Sequence, residues 1–112
     1  MTTTTTSAIE GKKIVRYLGV VTGEAVIGSN IFEDLFRGLK GIVGGRSNRF
    51  EQKLSHARTV AMKALRDNAA ELGANAVVGI DLDYEAFSAG EMILMVIASG
   101  TAVAVEDEEK KS

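Results

Sequence analysis

Cysteine is absent from this chain of 112 residues, which excludes a disulfide framework and thiolate chemistry and fits a reducing compartment. Positive charge is not in excess either. Thirteen Lys and Arg against 15 Asp and Glu leave a net charge of -2, so nothing drives the chain along a phosphate backbone and nucleic acid is not an expected partner. Long apolar runs are missing too. The longest, Met92 to Ala98, falls far short of the roughly 20 residues that cross a bilayer. The threonines Thr2 to Thr6 have neither the charged nor the apolar region of a secretory signal. A cytoplasmic protein without a membrane partner is the expectation.

What is present is the balance of an ordinary globular protein: 46% hydrophobic and 25% charged residues. The length suits one domain with one core. That core is expected over about residues 8–105, with 106–112 a solvated charged tail. Thr2 to Thr6 reads equally as a short edge strand or a frayed end.

Lys13 to Ile27 reads as a strand, bent at Gly19 or Gly23, because glycine inside a strand often marks a bulge. Ser29 or Asn30 then caps a helical pattern carrying Phe32, Leu35, Phe36, Leu39, Ile42 and Val43. Gly44-Gly45 stops it. A longer helix is expected from about Asn48 to Leu72, its apolar stripe drawn by Phe50, Leu54, Ala57, Ala61, Ala64, Leu65, Ala69 and Leu72. Gly73 stands where a helix-ending glycine belongs.

Ala76 to Ala86 reads as a strand with an acidic row. Side chains two apart on a strand share a face about 6.5–7 Å apart, which groups Asp81, Asp83 and Glu85. Ser88-Ala89-Gly90 is a hairpin-like connection to a last strand running to Val105. The order is β-α-α-β-β, an α+β fold with a mainly antiparallel sheet and a long helix on one face. Met92 to Ala98 is apolar on both faces, whereas an antiparallel sheet with one wet face alternates. Further copies of the chain are the economical cover for the second face, so a homo-oligomer is expected.

Tyr17 to Ala25, Ile42 to Ser47, Leu72 to Glu85 and Ser99 to Val103 together resemble the YbjQ family, described as heavy-metal-binding. The resemblance covers about Thr3 to Val105. It implies a small α/β subunit that assembles as a homopentamer, and a metal ion as the cofactor to look for.

The donor set tests that expectation. Soft metals prefer thiolate and imidazole, and the chain offers only His56, on the long helix. Met62, Met92 and Met95 are read as core fillers. For a hard cation the candidates are Asp81, Asp83 and Glu85. The outer two lie roughly 13–14 Å apart, so Glu24, Glu91 or a neighbouring subunit must contribute. The competing reading pairs Asp81 and Asp83 with Arg46, Arg49 or Arg58, satisfying the charges at an interface. Gly44, Gly45, Arg46 and Ser47 form an anion-binding candidate, backbone N–H groups and a guanidinium before a helix; the competing reading is a tight turn between helices. No nucleophile elbow or phosphate loop is present, so no catalytic residue is assigned, and the expectation is a non-enzymatic homo-oligomer that binds a metal ion or a small ligand through its acidic residues. Two alternatives stand beside it. One is an enzyme holding an anionic substrate at a subunit boundary, with Arg46 as clamp and Asp81 or Asp83 as base. The other is a scaffold without ligand.

Overall fold

The antiparallel hairpin at the centre of the fold joins β3 (Ala76–Ser88) to β4 (Met92–Asp107). The computed structural model describes residues 1–27, 44–88 and 92–108. The helix expected before Gly44 and the turn at Ala89-Gly90 lie outside them. On the other side of β4 runs β2 (Lys12–Ile27), antiparallel, and β1 (Thr2–Thr3) adds to β3 in parallel. The sheet order is β1-β3-β4-β2, a mixed sheet with α1 (Gly44–Glu71) packed on it. The threonine-rich start is thus an edge strand, but only over two residues.

Two boundaries differ from expectation. The helix begins at Gly44, not near Asn48, and includes the Gly44-Gly45 pair. Glycine is costly in a helix interior yet tolerated at its first positions, where N–H groups lack intrahelical partners anyway. At the chain's far end, Glu106 and Asp107 belong to β4 rather than to a tail, and Lys12 pairs with Asp107 across the strands. The helix exit is as expected. Gly73, at φ +85°, closes it, its N–H donating to the Ala70 carbonyl (2.9 Å) while the Ala74 N–H donates to Ala69 (3.1 Å). Ala69 and Ala74 both enter the core at this turn.

Ala57, Ala61, Leu65 and Ala69 form the buried helix stripe, and Leu72 lies outside it, 45% exposed. The stripe meets Val21, Ala25 and Ile27 of β2, Val96, Ala98 and Ala102 of β4, and Val77 and Ile80 of β3. At Gly23 the helix backbone comes so close that no side chain fits between. Gly23 is therefore a point of close approach, not a bend. The bends in β2 fall elsewhere, at register slips between Ile14 and Arg16 and between Tyr17 and Gly19. The Asn68 amide also donates to the Thr22 carbonyl at 2.8 Å, fastening α1 over β2. The helix lies chiefly over β2 and β4 and barely reaches β3.

The second face of the sheet is covered at one end only. There Ile9, Ile14 and Val105 pack on Ala76, Val78 and Val103. Towards the other end the register places Val20, Thr22, Glu24 and Val26 of β2 beside Thr101, Ser99, Ile97 and Met95 of β4 on that face. Val20 is 78% and Val26 60% exposed. The Cα radius of gyration is 18.1 Å, against about 13 Å for a compact chain of this length.

Candidate functional site

β3 changes its facing at Gly79. Val78 stands opposite Thr101 and Asp81 opposite Ser99, so Gly79 and Ile80 together oppose Gly100. This is a bulge, and Gly79 holds the positive φ (+63°) it requires. The amides at the bulge are taken up by the N-terminal segment: Gly79 N–H donates to the Thr6 carbonyl (2.8 Å) and Ile80 N–H to the Thr4 carbonyl (3.1 Å). Because of the extra residue, Val77, Ile80 and Leu82 all serve the core under the helix. Asp81, Asp83 and Glu85 fall on the opposite, open face.

All three carboxylates are exposed. Across the open face they stand in register with Ser99, Ile97 and Met95, and beyond β4 with Thr22, Glu24 and Val26. Glu24 and Asp83 flank Ile97 from either side, about 9.5 Å apart at two strand spacings. Hydrogen bonding to the Asp81 side chain and the charge of Asp81 hold the Asp83 carboxyl above its usual value, with smaller contributions from desolvation and Glu85. The folded value thus exceeds the unfolded one. The resulting destabilisation is complete above the folded value and disappears as pH falls below the ordinary 3.8. Asp83→Asn is therefore expected to raise the urea midpoint at neutral pH, with the gain closing towards pH 3.8. Asp107, held low by hydrogen bonding and charge from Lys12, has the reverse sign. Asp107→Asn loses stability that is present above the ordinary value and vanishes as pH falls through the folded one. A urea titration of both variants between pH 3 and 7 checks the opposed slopes, about which either variant lacking pH dependence would be decisive.

Within one chain Arg58 does not pair with the row. Arg58 lies on the helix side, its guanidinium donating to the Tyr84 hydroxyl at 3.2 Å, with the sheet between it and the acidic row. The side chains of Arg46 and Arg49 lie outside the described residues. Among the described residues the ion pairs are Lys12–Asp107 and Lys63–Asp67, neither involving the row. Gly44, Gly45, Arg46 and Ser47, expected as a loop, are the first residues of α1. His56 is exposed on the helix and does not meet the acids on the far side of the sheet.

A heavy metal does not fit this donor set. There is no thiolate, the one imidazole stands apart, and no three His, Cys, Asp or Glu converge on one point among the described residues. The acidic row follows a strand and spreads its oxygens along the sheet instead of around an ion. What the arrangement does offer is a surface, half-buried Met95 and Ile97 between the acidic row of β3 on one side and Glu24 of β2 on the other. The orientation of the row was set by Gly79, a glycine inside a strand pattern, which is the sequence signal of a bulge.

A crystal structure of a protein of unknown function from Pediococcus pentosaceus, of the DUF74 family, shares the fold. The TM-score is 0.59 at 19% identity, covering 95% of this chain and 98% of that one. Residues 1–106 match the family described as "Putative heavy-metal-binding". With nearly the whole described chain inside that match, and the motifs around Gly23, Gly44-Gly45 and Gly73 inside it too, the protein belongs to the YbjQ family.

Proposed function

We propose that this chain is a non-catalytic cytoplasmic building block that assembles with copies of itself into a closed homo-oligomer, a pentamer by family resemblance, and presents the acidic row at or beside the contact. The open sheet face carries this reading. Val26, Met95 and Ile97 form an apolar strip that α1 cannot reach, with exposed Val20 farther along the same face beyond Thr22 and Ser99, since the helix packs on the opposite face. Large continuous apolar patches on a soluble chain mark interfaces. The extended outline of the single chain supports the same reading, because a subunit whose core is completed by neighbours has no need to be round. The described donor set supports no heavy-metal role for one chain alone.

Sedimentation velocity tests the proposal. At micromolar concentration the chain is expected to run as a single species several times the monomer's 11.9 kDa. Ile97→Glu places a third carboxylate between Glu24 and Asp83, and is expected to shift the protein to monomer while keeping its far-UV circular dichroism. A monomeric wild-type protein would reject the reading.

A further inference from the structure

Residues 2–11 cross the sheet instead of trailing from it. Thr2 and Thr3 pair with Ala76 and Val77 at the outer edge of β3. The chain then passes over the open face, where Ile9 packs on Ala76, Val78 and Val103. It turns into β2 at Gly11 (φ +78°), with the Lys12 N–H donating to the Ile9 carbonyl and the Glu108 N–H to the Gly11 carbonyl, both at 3.0 Å. The result is a strap over one end of the face, fastened at both sides.

Its hold on β3 centres on the bulge. Between Val78 and Asp81 the register with β4 shifts, and the Gly79 and Ile80 amides turn to the carbonyls of Thr6 and Thr4. The Thr4 N–H donates to the Val77 carbonyl at 3.0 Å. Two hydroxyls shape the turn that presents those carbonyls. Thr4 Oγ1 accepts from the Thr6 N–H at 3.1 Å and lies 2.8 Å from Thr6 Oγ1, whose hydroxyl donates to the Ala8 carbonyl. Thr5, between them, takes no part in these bonds.

We propose that this strap is a latch: residues 2–9 open as a unit while the helix core stays folded, baring Ala76, Val78 and Val103 and freeing the bulge at Gly79. The balance of contacts carries the proposal. Among the described residues Ile9 is the one strap side chain packed on either apolar cluster, and Thr5, Thr6, Ser7 and Ala8 are exposed. Segments held by few apolar contacts and by solvent-facing hydrogen bonds open well below the cost of global unfolding. Release removes nothing from the core under α1, to which Val77 and Ile80 belong, and β3 keeps its ladder with β4. Water takes over the freed edge amides, so opening strands no buried polar group. Closed, the latch covers an apolar end of the open face; open, it adds that end to the surface the chain presents. The Thr4 and Thr6 hydroxyls set the balance between the two.

Thiol labelling in a chain without cysteine reads the latch directly. Val78→Cys places a thiol beneath the strap and Val96→Cys one beneath α1, both at buried positions. In dilute urea the thiol at position 78 is expected to react with dithionitrobenzoate at least about tenfold faster than that at position 96, and with a shallower urea dependence. Combining Thr4→Val with Thr6→Val is expected to speed position 78 by about fivefold or more, whereas Thr5→Val leaves it as it was. Equal rates with the same steep urea dependence would mean that the strap opens only with the whole chain, and would overturn the latch. So would a rate at position 78 indifferent to the two hydroxyls. If Val78→Cys disturbs the fold, amide exchange of the unsubstituted chain gives the same reading. Gly79 and Ile80 are expected to exchange together and well ahead of Leu65 and Ala69, and exchange in step with that helix pair rejects the proposal.

Discussion

Gly23→Ala is expected to lower the thermal midpoint by about 10 °C or more, a large effect for one added methyl group. The Cβ would run into the Ala61 carbonyl oxygen and the Leu65 amide nitrogen and lie 3.0 Å from the Leu65 Cα. These are helix backbone atoms, and no rotamer change relieves them. The helix must lift from β2, opening the packing of Ala57, Ala61, Leu65 and Ala69 along its stripe and stretching the Asn68–Thr22 bond. Overpacking costs about 1–3 kcal/mol where side chains can adjust, and more where backbone must move. Total stability of a domain this size is about 5–15 kcal/mol. Gly100→Ala is the matched control. Its Cβ would meet the Val77 and Ile80 side chains at 2.8 and 3.0 Å and backbone only at the Val78 carbonyl oxygen, at 3.2 Å, so a smaller loss is expected. Calorimetry of both variants decides the matter: a Gly23→Ala protein melting with the wild type would mean that the helix does not sit where Ala61 and Leu65 place it.

Much of this packing was legible before any coordinates. The stripe Ala57, Ala61, Leu65, Ala69 follows from helical spacing, and its small side chains announce a close approach to the sheet. Gly73 and the following Ala74 mark the helix end because a left-handed turn there needs glycine. The strands read as starting at Lys13, at Ala76 and at Glu91 or Met92 follow from β-branched and apolar runs. What periodicity could not place was the facing of the acids. Spacing says that Asp81, Asp83 and Glu85 share a face, but not which one, since that depends on a residue upstream with no side chain to reveal it. The helix start was misplaced for a related reason: Gly44-Gly45 is a stop signal when read forwards from Val43 and an acceptable first turn when read backwards from Phe50. That Arg58 lies across the sheet from the row within one chain was not legible either, because sequence distance carries no information about which side of a sheet a helix takes. The two-sided apolar character of Met92 to Ala98 was the most informative pattern, and the unshielded strip at Met95 and Ile97 is its structural counterpart.

Deleting Gly79 is expected to do more damage than any substitution at that site. The bulge adds one residue, and side-chain facing alternates with every residue, so its removal forces one half of β3 to turn over. If the later half turns, Ile80 and Leu82 leave the core and Asp81 and Asp83 point under the helix side, where unpaired carboxylates are costly. If the earlier half turns, fully buried Val77 leaves the core under the helix and changes places with Ala76 and Val78, so that core loses a packed side chain and the small cluster of Ala76, Val78 and Val103 is broken. Either outcome also removes the Gly79–Thr6 hydrogen bond that docks the N-terminal segment. Substitutions keep the residue count and should rank by their tolerance of φ +63°: Gly79→Asn mildest, Gly79→Ala intermediate at about 1–2 kcal/mol, Gly79→Val worst of the three, and the deletion below them all, without a cooperative transition. Urea denaturation followed by circular dichroism supplies the ranking. A deletion variant that unfolds cooperatively within a few degrees of the wild type on heating would show that the facing of the acidic row does not depend on the bulge, and the open face would have to be redrawn from Asp81 onwards.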